Sequence, residues 1–392
     1  MRVTKKLLAP AIISIAALAL AGCAPTSDTP DNSGEAPIDI AIITSETGPL
    51  AAYGASYLAG FEAGLDYATD GTGTVDGREL NIEYADDAAD ADKAVSAAKD
   101  FIGQGFKIIA GTVSSGVALA VAEQADQNQV LYISGPAAAD AITGVNGYTF
   151  RSGRQTYQDV ATAGTFIGDP AGQDILVFAQ DTAFGQGNLA GVDAVLGAAG
   201  ANVSSVLVPE DATEFTPFAQ QIIDASPDLV FVAWAGATSG AMWEALTQQG
   251  VFDATTGLGD VSTYGAYGAA SDQLNFLNHY FGGAAGTDVE AAMIESIEAA
   301  GGTPDLFSPD GFVAAQMIVQ AIREGGDDVD AMIAALEGWT FDGPKGSTTI
   351  RAEDHAVIQP MFQARLVADG DSWIPELVDV VDADSVAPPV AG

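Results

Sequence analysis

From Ile38 onwards, short apolar runs alternate with longer stretches of helical periodicity. The first apolar runs have the length of buried strands: IDIAIIT, LNIEYAD, FKIIAG and VLYIS. Helical stretches of ten residues or more separate them, as at 50–68, 91–102 and 117–126. Strands that alternate with helices in this way predict a parallel sheet covered by helices on both faces.

The same alternation begins again after residue 173. DILVFAQ, NVSSVLV and DLVFVAW read as strands, and helices are predicted at 187–199, 215–225 and 239–249. A Gly-rich strand region is expected near 257–263. Two βα runs of similar size predict two similar α/β lobes, and the segment YTFRSGRQTY at 148–157 is predicted to join them.

Helical stretches return late in the chain and are followed by a strand pair. The helices are predicted at 289–300, 309–323 and 329–336, and the strand pair is STTIRAEDHAVIQPMFQARLVADG. The tail from Ala383, which contains DSVAPPVAG, is expected to be frayed.

The amino terminus has the layout of a secretory signal. Arg2, Lys5 and Lys6 precede an apolar run at 7–21 that ends in Leu-Ala-Gly-Cys. LAGC resembles the bacterial lipobox, in which the cysteine is diacylated, so residues 1–22 are predicted to be a lipoprotein signal peptide and Cys23 the lipidation site. The alternative is a chance cysteine after an ordinary signal sequence. Residues 23–37 are polar and Pro-containing, which predicts a flexible tether.

The net charge of the chain indicates which classes of binding partner it does not have. The chain has 53 Asp and Glu against 13 Lys and Arg, for a formal net charge of −40, and removal of the signal peptide takes away three cations and no acid. This excludes nucleic acid as a partner and argues against a surface that lies on anionic lipid. Solubility of an exported protein explains the acidity, so no site is inferred from it.

Two strands are each followed by a loop of small residues and a predicted helix start. Ser114 and Ser115 lie in the first such loop, and the second reads SGPAAAD at 134–140. Free N–H groups at a helix start, together with hydroxyls, bind anions, and ligands of open α/β sheets lie beyond the carboxyl ends of the strands. The alternative is that small residues merely permit tight turns.

Catalytic and metal chemistry have little support in the sequence. His279 and His355 are the only histidines and have no ligand-like spacing, and Cys23 is the only cysteine. The carboxylates at 86–92 miss the spacing of a calcium loop and suit helix capping, and the loop at 70–77 reads as a turn. The segment FGQG at 184–187 lacks the full dinucleotide fingerprint. No cofactor and no enzymatic activity are therefore predicted.

Aromatic residues follow several predicted strands. These are Tyr53, Phe184, Trp234, Tyr264 and Tyr267. Residues in such positions face the crevice at the carboxyl ends of the strands, so the five are expected to wall a common pocket. Individually, each is equally compatible with a packing role.

The chain resembles one family along nearly its whole length. The segments that carry the resemblance, in order, are SETGPLAAYGASYLAGFEAGLDY, YADDAADADKAVSAAKDFI, AGTVSSGVALAVAEQA, ISGPAAADAIT, YTFRSGRQTYQD, DTAFGQG, EFTPFAQQIIDASPDLVFVAWAG and SPDGFVAAQMIVQAI. Together they resemble the branched-chain amino acid (Leu/Ile/Val-binding) type of ABC-transporter solute-binding protein.

This resemblance implies the type I periplasmic binding protein fold, an α/β fold of two doubly wound parallel-sheet lobes joined by three crossovers. It implies the first lobe at 38–150 and 283–357, the second at 151–282 and 358–382, and the tail at 383–392. The lobes would close on a solute that is then delivered to ABC permease subunits. A ligand-sensing receptor module of the same fold is the alternative.

The resemblance also implies how a ligand is held. The carboxylate of an amino acid would meet Ser115 and the following loop, where Ala138 stands at the usual threonine position, and Tyr53 matches a family tyrosine. At tyrosine positions of the second lobe, this chain has Phe184 and, beside Trp234, Ala235. No glutamate occurs in GLGDVSTYGAYG, so Asp181 and Asp260 are the nearest acidic candidates for an ammonium group.

The sequence therefore predicts a lipid-anchored, extracytoplasmic solute-binding protein at the outer face of the cytoplasmic membrane. Its expected ligand is a small carboxylate-bearing solute, an amino acid or a related organic acid. The candidate ligand contacts are Tyr53, Ser114, Ser115, Ala137, Ala138, Tyr157, Asp181, Phe184, Trp234 and Tyr264.

Overall fold

The computed structural model describes residues 36–251, 254–257, 261–267 and 274–391. The predicted signal peptide, Cys23, most of the predicted tether and Asp260 lie outside these residues. Within the described ranges, no helix combines the length and the apolar character needed to cross a membrane.

A six-stranded sheet forms the centre of the first lobe. Its strands are β1 (Ile38–Thr44), β2 (Thr74–Val75), β3 (Arg78–Asp86), β4 (Ile108–Gly111), β5 (Leu131–Ser134) and β6 (Thr149–Arg151). The strand order is β2-β3-β1-β4-β5-β6, with parallel pairing except between β2 and β3. The helices between the strands are α1 (Ala51–Ala68), α2 (Ala91–Gln104) and α3 (Ser115–Asn128). Strands β4 and β5 are buried throughout, as expected for apolar strands covered on both faces.

A seven-stranded sheet forms the second lobe. Its strands are β7 (Asp174–Gln180), β8 (Asn202–Val208), β9 (Leu229–Ala233), β10 (Ala254–Gly257), β11 (Leu274–Asn278), β15 (Met361–Asp369) and β16 (Ser372–Val381), in the order β16-β15-β11-β10-β9-β7-β8. Strand β15 pairs antiparallel with both β11 and β16, and the other strand pairs are parallel. The helices of this region are α4 (Thr156–Gly164), α5 (Ala183–Val192), which continues as a π-helical turn to Gly197, α6 (Thr216–Ala225), α7 (Ser239–Gln249) and α8 (Tyr264–Tyr267).

The chain returns to the first lobe before β15. The remaining helices are α9 (Asp288–Ala299), α10 (Ser308–Gly325) and α11 (Val329–Leu336), followed by a small antiparallel sheet of β12 (Thr340–Gly343), β13 (Gly346–Ile350) and β14 (Val357–Ile358). Helix α10 shares a hydrophobic core with β1 and β4 of the first sheet. A Cβ atom at Gly60 of α1 would lie 1.8 Å from the Ser308 carbonyl oxygen, so the close approach of α1 to α10 requires glycine there.

This topology confirms the predicted fold class: an α/β fold with two mainly parallel sheets, between which the chain crosses three times. It crosses after β6, returns after β11 and crosses again after β14. Strands β1, β7 and β8 and helices α7 and α11 have the predicted bounds. The expected strand near 257–263 is wrong for Val261–Thr263, which forms a 3₁₀ turn.

The carboxyl-terminal tail packs against the rest of the chain, with Val386 on Met361 and Val381 of the second lobe, which corrects the expectation that it is frayed. Residues Ala383–Val386 form a 3₁₀ turn, and Val386 is fully buried. The Arg351 guanidinium donates to the Pro388 carbonyl oxygen at 2.6 Å, and the Ala391 N–H donates to the Asp354 carboxylate at 2.9 Å. Sequence composition misses these contacts because the partners lie more than thirty residues away in the chain.

The tail contact makes a prediction about stability. Val386→Ala is expected to lower the free energy of unfolding by about 2 kcal/mol, since it removes two buried methyl groups and leaves a void. Val390→Ala is the matched control, because Val390 is 53% exposed and its loss is expected to cost under about 0.5 kcal/mol. Chemical denaturation of both variants measures the difference. Equal, negligible effects would mean that the tail does not pack in solution.

Candidate ligand-binding site

A cavity of about 370 Å³ lies at the carboxyl ends of the strands of both sheets. Its walls come largely from strand-to-helix junctions: residues 113–117 after β4, 136 and 138 after β5, 182–184 after β7, and 234, 235 and 237–239 after β9. This is the position expected for a ligand of a doubly wound fold. The volume falls within the range of small-molecule sites in proteins.

The start of α3 forms the first-lobe wall of the cavity. Ser114 is the N-cap residue, yet its side chain makes no capping hydrogen bond. The Ser115 Oγ accepts a hydrogen bond from the Ala139 N–H at 3.2 Å, which ties the start of α3 to the loop after β5. The first-turn N–H groups of a helix have no intrahelical acceptor. This wall therefore offers hydrogen-bond donors at the positive end of a helix dipole, which suits an anion.

Aromatic side chains form much of the second-lobe wall. Trp234 stacks on Phe178 and meets Phe215 edge-on, in both cases with ring centroids 5.3 Å apart. Its Nε1–H donates to the Thr238 hydroxyl at 3.0 Å. Phe184 is half-buried in the first turn of α5. The indole is thus fixed on two sides, and the wall presents flat apolar surface to a ligand.

The two lobes touch directly at the mouth of the cavity. The Gly236 N–H donates to the Tyr53 hydroxyl at 3.2 Å, and the Ala237 N–H donates to the Pro49 carbonyl oxygen at 3.0 Å. Gly236 has a φ of +82°, and a Cβ atom there would lie 2.6 Å from the Pro49 oxygen. These contacts identify a closed arrangement of the lobes.

A charged pair lies at the end of the cavity beside the first crossover, between β6 and α4, which we call the hinge end. Arg154, in the first crossover, and Asp159, in α4, both line the cavity, and the Arg154 Nε lies 3.2 Å from the Asp159 carboxylate. The guanidinium lies 5.5 Å from the centroid of the Phe307 ring. The His279 ring also packs on Phe307, with centroids 5.1 Å apart. Burial lowers the pKa of His279 well below its ordinary value, so this imidazole is neutral.

More buried charges lie behind this pair. Asp310 and Lys345 are both buried, and burial raises the pKa of Asp310 to about 6 and lowers that of Lys345 to about 8. Arg151 is buried and donates hydrogen bonds to the Ala137 carbonyl oxygen at 2.7 Å and the Thr143 hydroxyl at 2.8 Å. Buried charged side chains therefore lie behind the hinge end of the cavity.

Six of the candidate contacts lie together on the cavity wall. They are Tyr53, Ser114, Ser115, Ala138, Phe184 and Trp234. Whether they contact a ligand stays a prediction. Asp260 and the side chain of Tyr267 lie outside the described residues.

The other four candidates do not line the cavity. Ala137 is buried with its carbonyl oxygen bound to Arg151, and Tyr264 is buried in the core of the second lobe. The Tyr157 N–H donates to Asp140 at 3.0 Å. Asp181 is exposed and accepts a hydrogen bond from Gln186 at 2.8 Å, which corrects its expected place in the cleft. A position next to a strand end does not fix the direction of the side chain.

Sequence reasoning missed Arg154, Asp159, His279 and Phe307. The available signal was the pair of arginines in YTFRSGRQTY, in a chain with few cations. The carboxylates at 86–92 serve local structure: Asp90 caps α2 by accepting from the N–H groups of Asp92 and Lys93. No cluster of three potential metal-ligating side chains occurs in the part of the chain that the structure describes.

Comparison with known proteins places the chain in a family. A family model described as periplasmic binding protein matches residues 37–371. The Leu/Ile/Val-binding protein BraC3 of Rhizobium johnstonii is 29% identical over 200 residues, a match that covers 50% of this chain and 54% of that protein.

Solved structures share the fold along most of the chain. A crystal structure of an ABC-type branched-chain amino acid transporter from Rhodopseudomonas palustris CGA009 is 32% identical, covers 90% of this chain and 99% of that chain, and has a TM-score of 0.74. A solute binding protein of an ABC transporter from Rhodopseudomonas palustris HaA2, in complex with p-hydroxybenzoic acid, is 21% identical with a TM-score of 0.81, covers 89% of this chain and 98% of that chain, and supports the fold alone. The chain belongs to the periplasmic binding protein family, as a solute-binding protein of the ABC-transporter type and not an enzyme.

Proposed function

We propose that this protein is a lipid-anchored, extracytoplasmic receptor of an ABC importer that captures a small carboxylate-bearing solute. The lobes close on the solute, and the closed form delivers it to the permease subunits. The observation that carries the proposal is the start of α3, which presents an uncapped helix terminus and the hydroxyls of Ser114 and Ser115 to an enclosed cavity.

The opposite wall indicates what the rest of the solute is like. Trp234 and Phe184 offer apolar surface, and hydrogen bonding to Thr238 fixes the indole of Trp234. A carboxylate on the first-lobe wall would therefore carry an apolar or aromatic body toward the second lobe. The p-hydroxybenzoic acid bound to the HaA2 protein fits this description of the solute, and so does a branched-chain amino acid, the solute class named for the CGA009 transporter.

The lobes close because the solute makes more contacts in the closed arrangement than in an open one. A solute that touches both walls binds the closed arrangement more tightly than an open one, and this difference in affinity shifts the population toward closure. The direct contacts of Tyr53 and Pro49 with the Gly236–Ala237 segment add a small, ligand-independent contribution. We infer that ligand binding and these mouth contacts act together.

The first prediction concerns the carboxylate. Ser114→Ala is expected to weaken binding of a carboxylate solute about tenfold or more, because a hydrogen bond to a charged group contributes about 1.5 to 3 kcal/mol. A thermal-shift screen of amino acids, aromatic acids and short acids identifies a solute, and calorimetry then compares the variants. Ser96→Ala, at an exposed serine of α2, is the matched control. Equal affinities in all three proteins would contradict the proposed role of the α3 start.

The second prediction concerns closure. Gly236→Ala is expected to weaken solute binding about tenfold, because the new methyl group meets the Pro49 carbonyl oxygen and holds the mouth apart. Small-angle scattering is expected to show that wild-type protein contracts on saturation with solute and that the variant contracts less.

Gly77→Ala is the control for this experiment. Gly77 also has a φ of +82°, but a methyl group there would have no heavy atom within 4 Å, so the variant carries the same backbone strain without blocking the mouth. If Gly77→Ala and Gly236→Ala lose equal affinity, backbone strain and not closure explains the effect.

The third prediction concerns the anchor. Cys23→Ser is expected to release a folded protein from the membrane or leave its precursor unprocessed, because Cys23 is the only cysteine available for acylation. Membrane fractionation after labelling with a fatty acid measures both properties. Equal membrane retention of the two proteins with no label in either would exclude the lipoprotein assignment.

A further inference from the structure

Arg154 is the only lysine or arginine among the described residues that line the cavity. Its side chain is held in a fixed position at the hinge end. The Nε lies 3.2 Å from Asp159, and the Nη1–H donates to the Pro136 carbonyl oxygen at 2.9 Å. Arg154 is only 6% exposed, and among the described residues its Nη2 group has no hydrogen-bond partner.

Arg154 and the start of α3 lie beside the same short loop. Arg154 donates to the carbonyl oxygen of Pro136, and the Ser115 Oγ accepts from the N–H of Ala139. Three residue steps span at most about 11 Å of chain. The guanidinium and the α3 donors therefore border the same part of the cavity wall, on either side of the loop after β5.

The electrostatics of this end of the cavity favour a negative ligand group. A buried guanidinium with an N–H edge that lacks an acceptor gains a charge-assisted hydrogen bond when a carboxylate arrives. Asp159 already faces Arg154, and Arg154 and Lys345 both act to lower its pKa against the dominant effect of burial, which raises it. His279 is neutral and adds no charge.

The same charges disfavour an ammonium group. A ligand cation beside Asp159 would share that carboxylate with Arg154. Glu210, the other acidic residue on the described cavity wall, is exposed to solvent, which screens its attraction. An α-ammonium would therefore lose its hydration without gaining a carboxylate of its own.

We propose that Arg154, positioned by Asp159 and the Pro136 carbonyl oxygen, is a specificity-determining residue that selects a monocarboxylate without an α-amino group. The inference rests on the proposed function, because it names the class of carboxylate that the same cavity takes. Arg154 binds the anionic group directly, and Asp159 positions Arg154.

Matched ligand pairs test the ligand class on the wild-type protein, with no variant needed. Calorimetry compares 3-phenylpropanoate with phenylalanine, 4-methylpentanoate with leucine, and 4-hydroxybenzoate with 4-hydroxybenzamide. In whichever pair binds, the first-named acid is expected to bind at least tenfold more tightly than its partner; the first two pairs test the effect of the amino group and the third tests the need for the carboxylate. Tighter binding of phenylalanine or leucine would overturn the selectivity against an ammonium.

Variants of Arg154 and Asp159 test which residue binds the carboxylate. Arg154→Gln is expected to weaken the preferred acid about tenfold to a hundredfold, as for loss of a hydrogen bond to a charged group. Asp159→Asn keeps an acceptor for the Arg154 Nε and removes a negative charge, so acid binding is expected to stay within threefold or to tighten. If Asp159 instead binds a ligand ammonium, Asp159→Asn would weaken amino-acid binding tenfold or more. Glu210→Gln tests in the same way whether the exposed carboxylate of Glu210 binds the ammonium.

The outcomes separate this inference from the proposed function. If wild-type protein binds no carboxylate at all, the proposed function fails. If it binds a carboxylate and Arg154→Gln binds it equally well, only the role of Arg154 fails. Thermal unfolding without ligand checks that each variant is folded, and Arg154→Lys, which keeps the charge, replaces the glutamine variant if that protein does not fold. The Arg154→Lys protein is then expected to bind the acid more weakly than the wild-type protein, because lysine lacks the planar donor edge of arginine. Equal binding would overturn the assignment.

Discussion

The rest of the proposed site depends on the free N–H groups at the start of α3. They exist because β4 ends at Gly111 and α3 begins at Ser115 with no side-chain cap. Parallel pairing of β4 with β1 and β5 sets this helix start beside the loop after β5, and the Ser115 hydroxyl ties the two together. In the proposed mode of binding, a charged ligand group supplies the hydrogen-bond acceptor that the helix terminus lacks, and the backbone arrangement of the first lobe then determines where that group binds.

In the proposed function, the second lobe and the first crossover give the anion site its selectivity. Trp234 and Phe184 line the cavity and would shield the apolar part of a ligand from water, and the contact of Tyr53 with Gly236 joins the lobes. Arg154 lies in the first crossover, so a ligand that binds it contacts the hinge itself. Recognition of charge and closure of the lobes therefore involve the same part of the molecule.

The fold was predictable from sequence because its signal is periodic and local. Short apolar runs and longer stretches of helical periodicity alternate along the sequence, and three of the strands have the predicted bounds. The Ser114–Ser115 loop and Trp234 were found because they follow strands directly. Arg154 was not found, because its contacts Phe307 and Pro136 are distant in sequence, and Asp159 was missed with it because the two form an ion pair. Asp181 was misplaced for the reverse reason, since nearness to a strand end does not decide whether a carboxylate faces cavity or solvent.

A crystal structure of the protein with its preferred carboxylate bound tests the central claim most directly. We expect closed lobes with the carboxylate between the α3 start and Arg154, with its oxygens about 2.7 to 3.2 Å from the Ser114 hydroxyl or an α3 N–H and from the Arg154 Nη2. The apolar part of the ligand is expected against Trp234. A carboxylate that points to the second lobe, with only apolar atoms at the α3 start, would contradict this mode of binding.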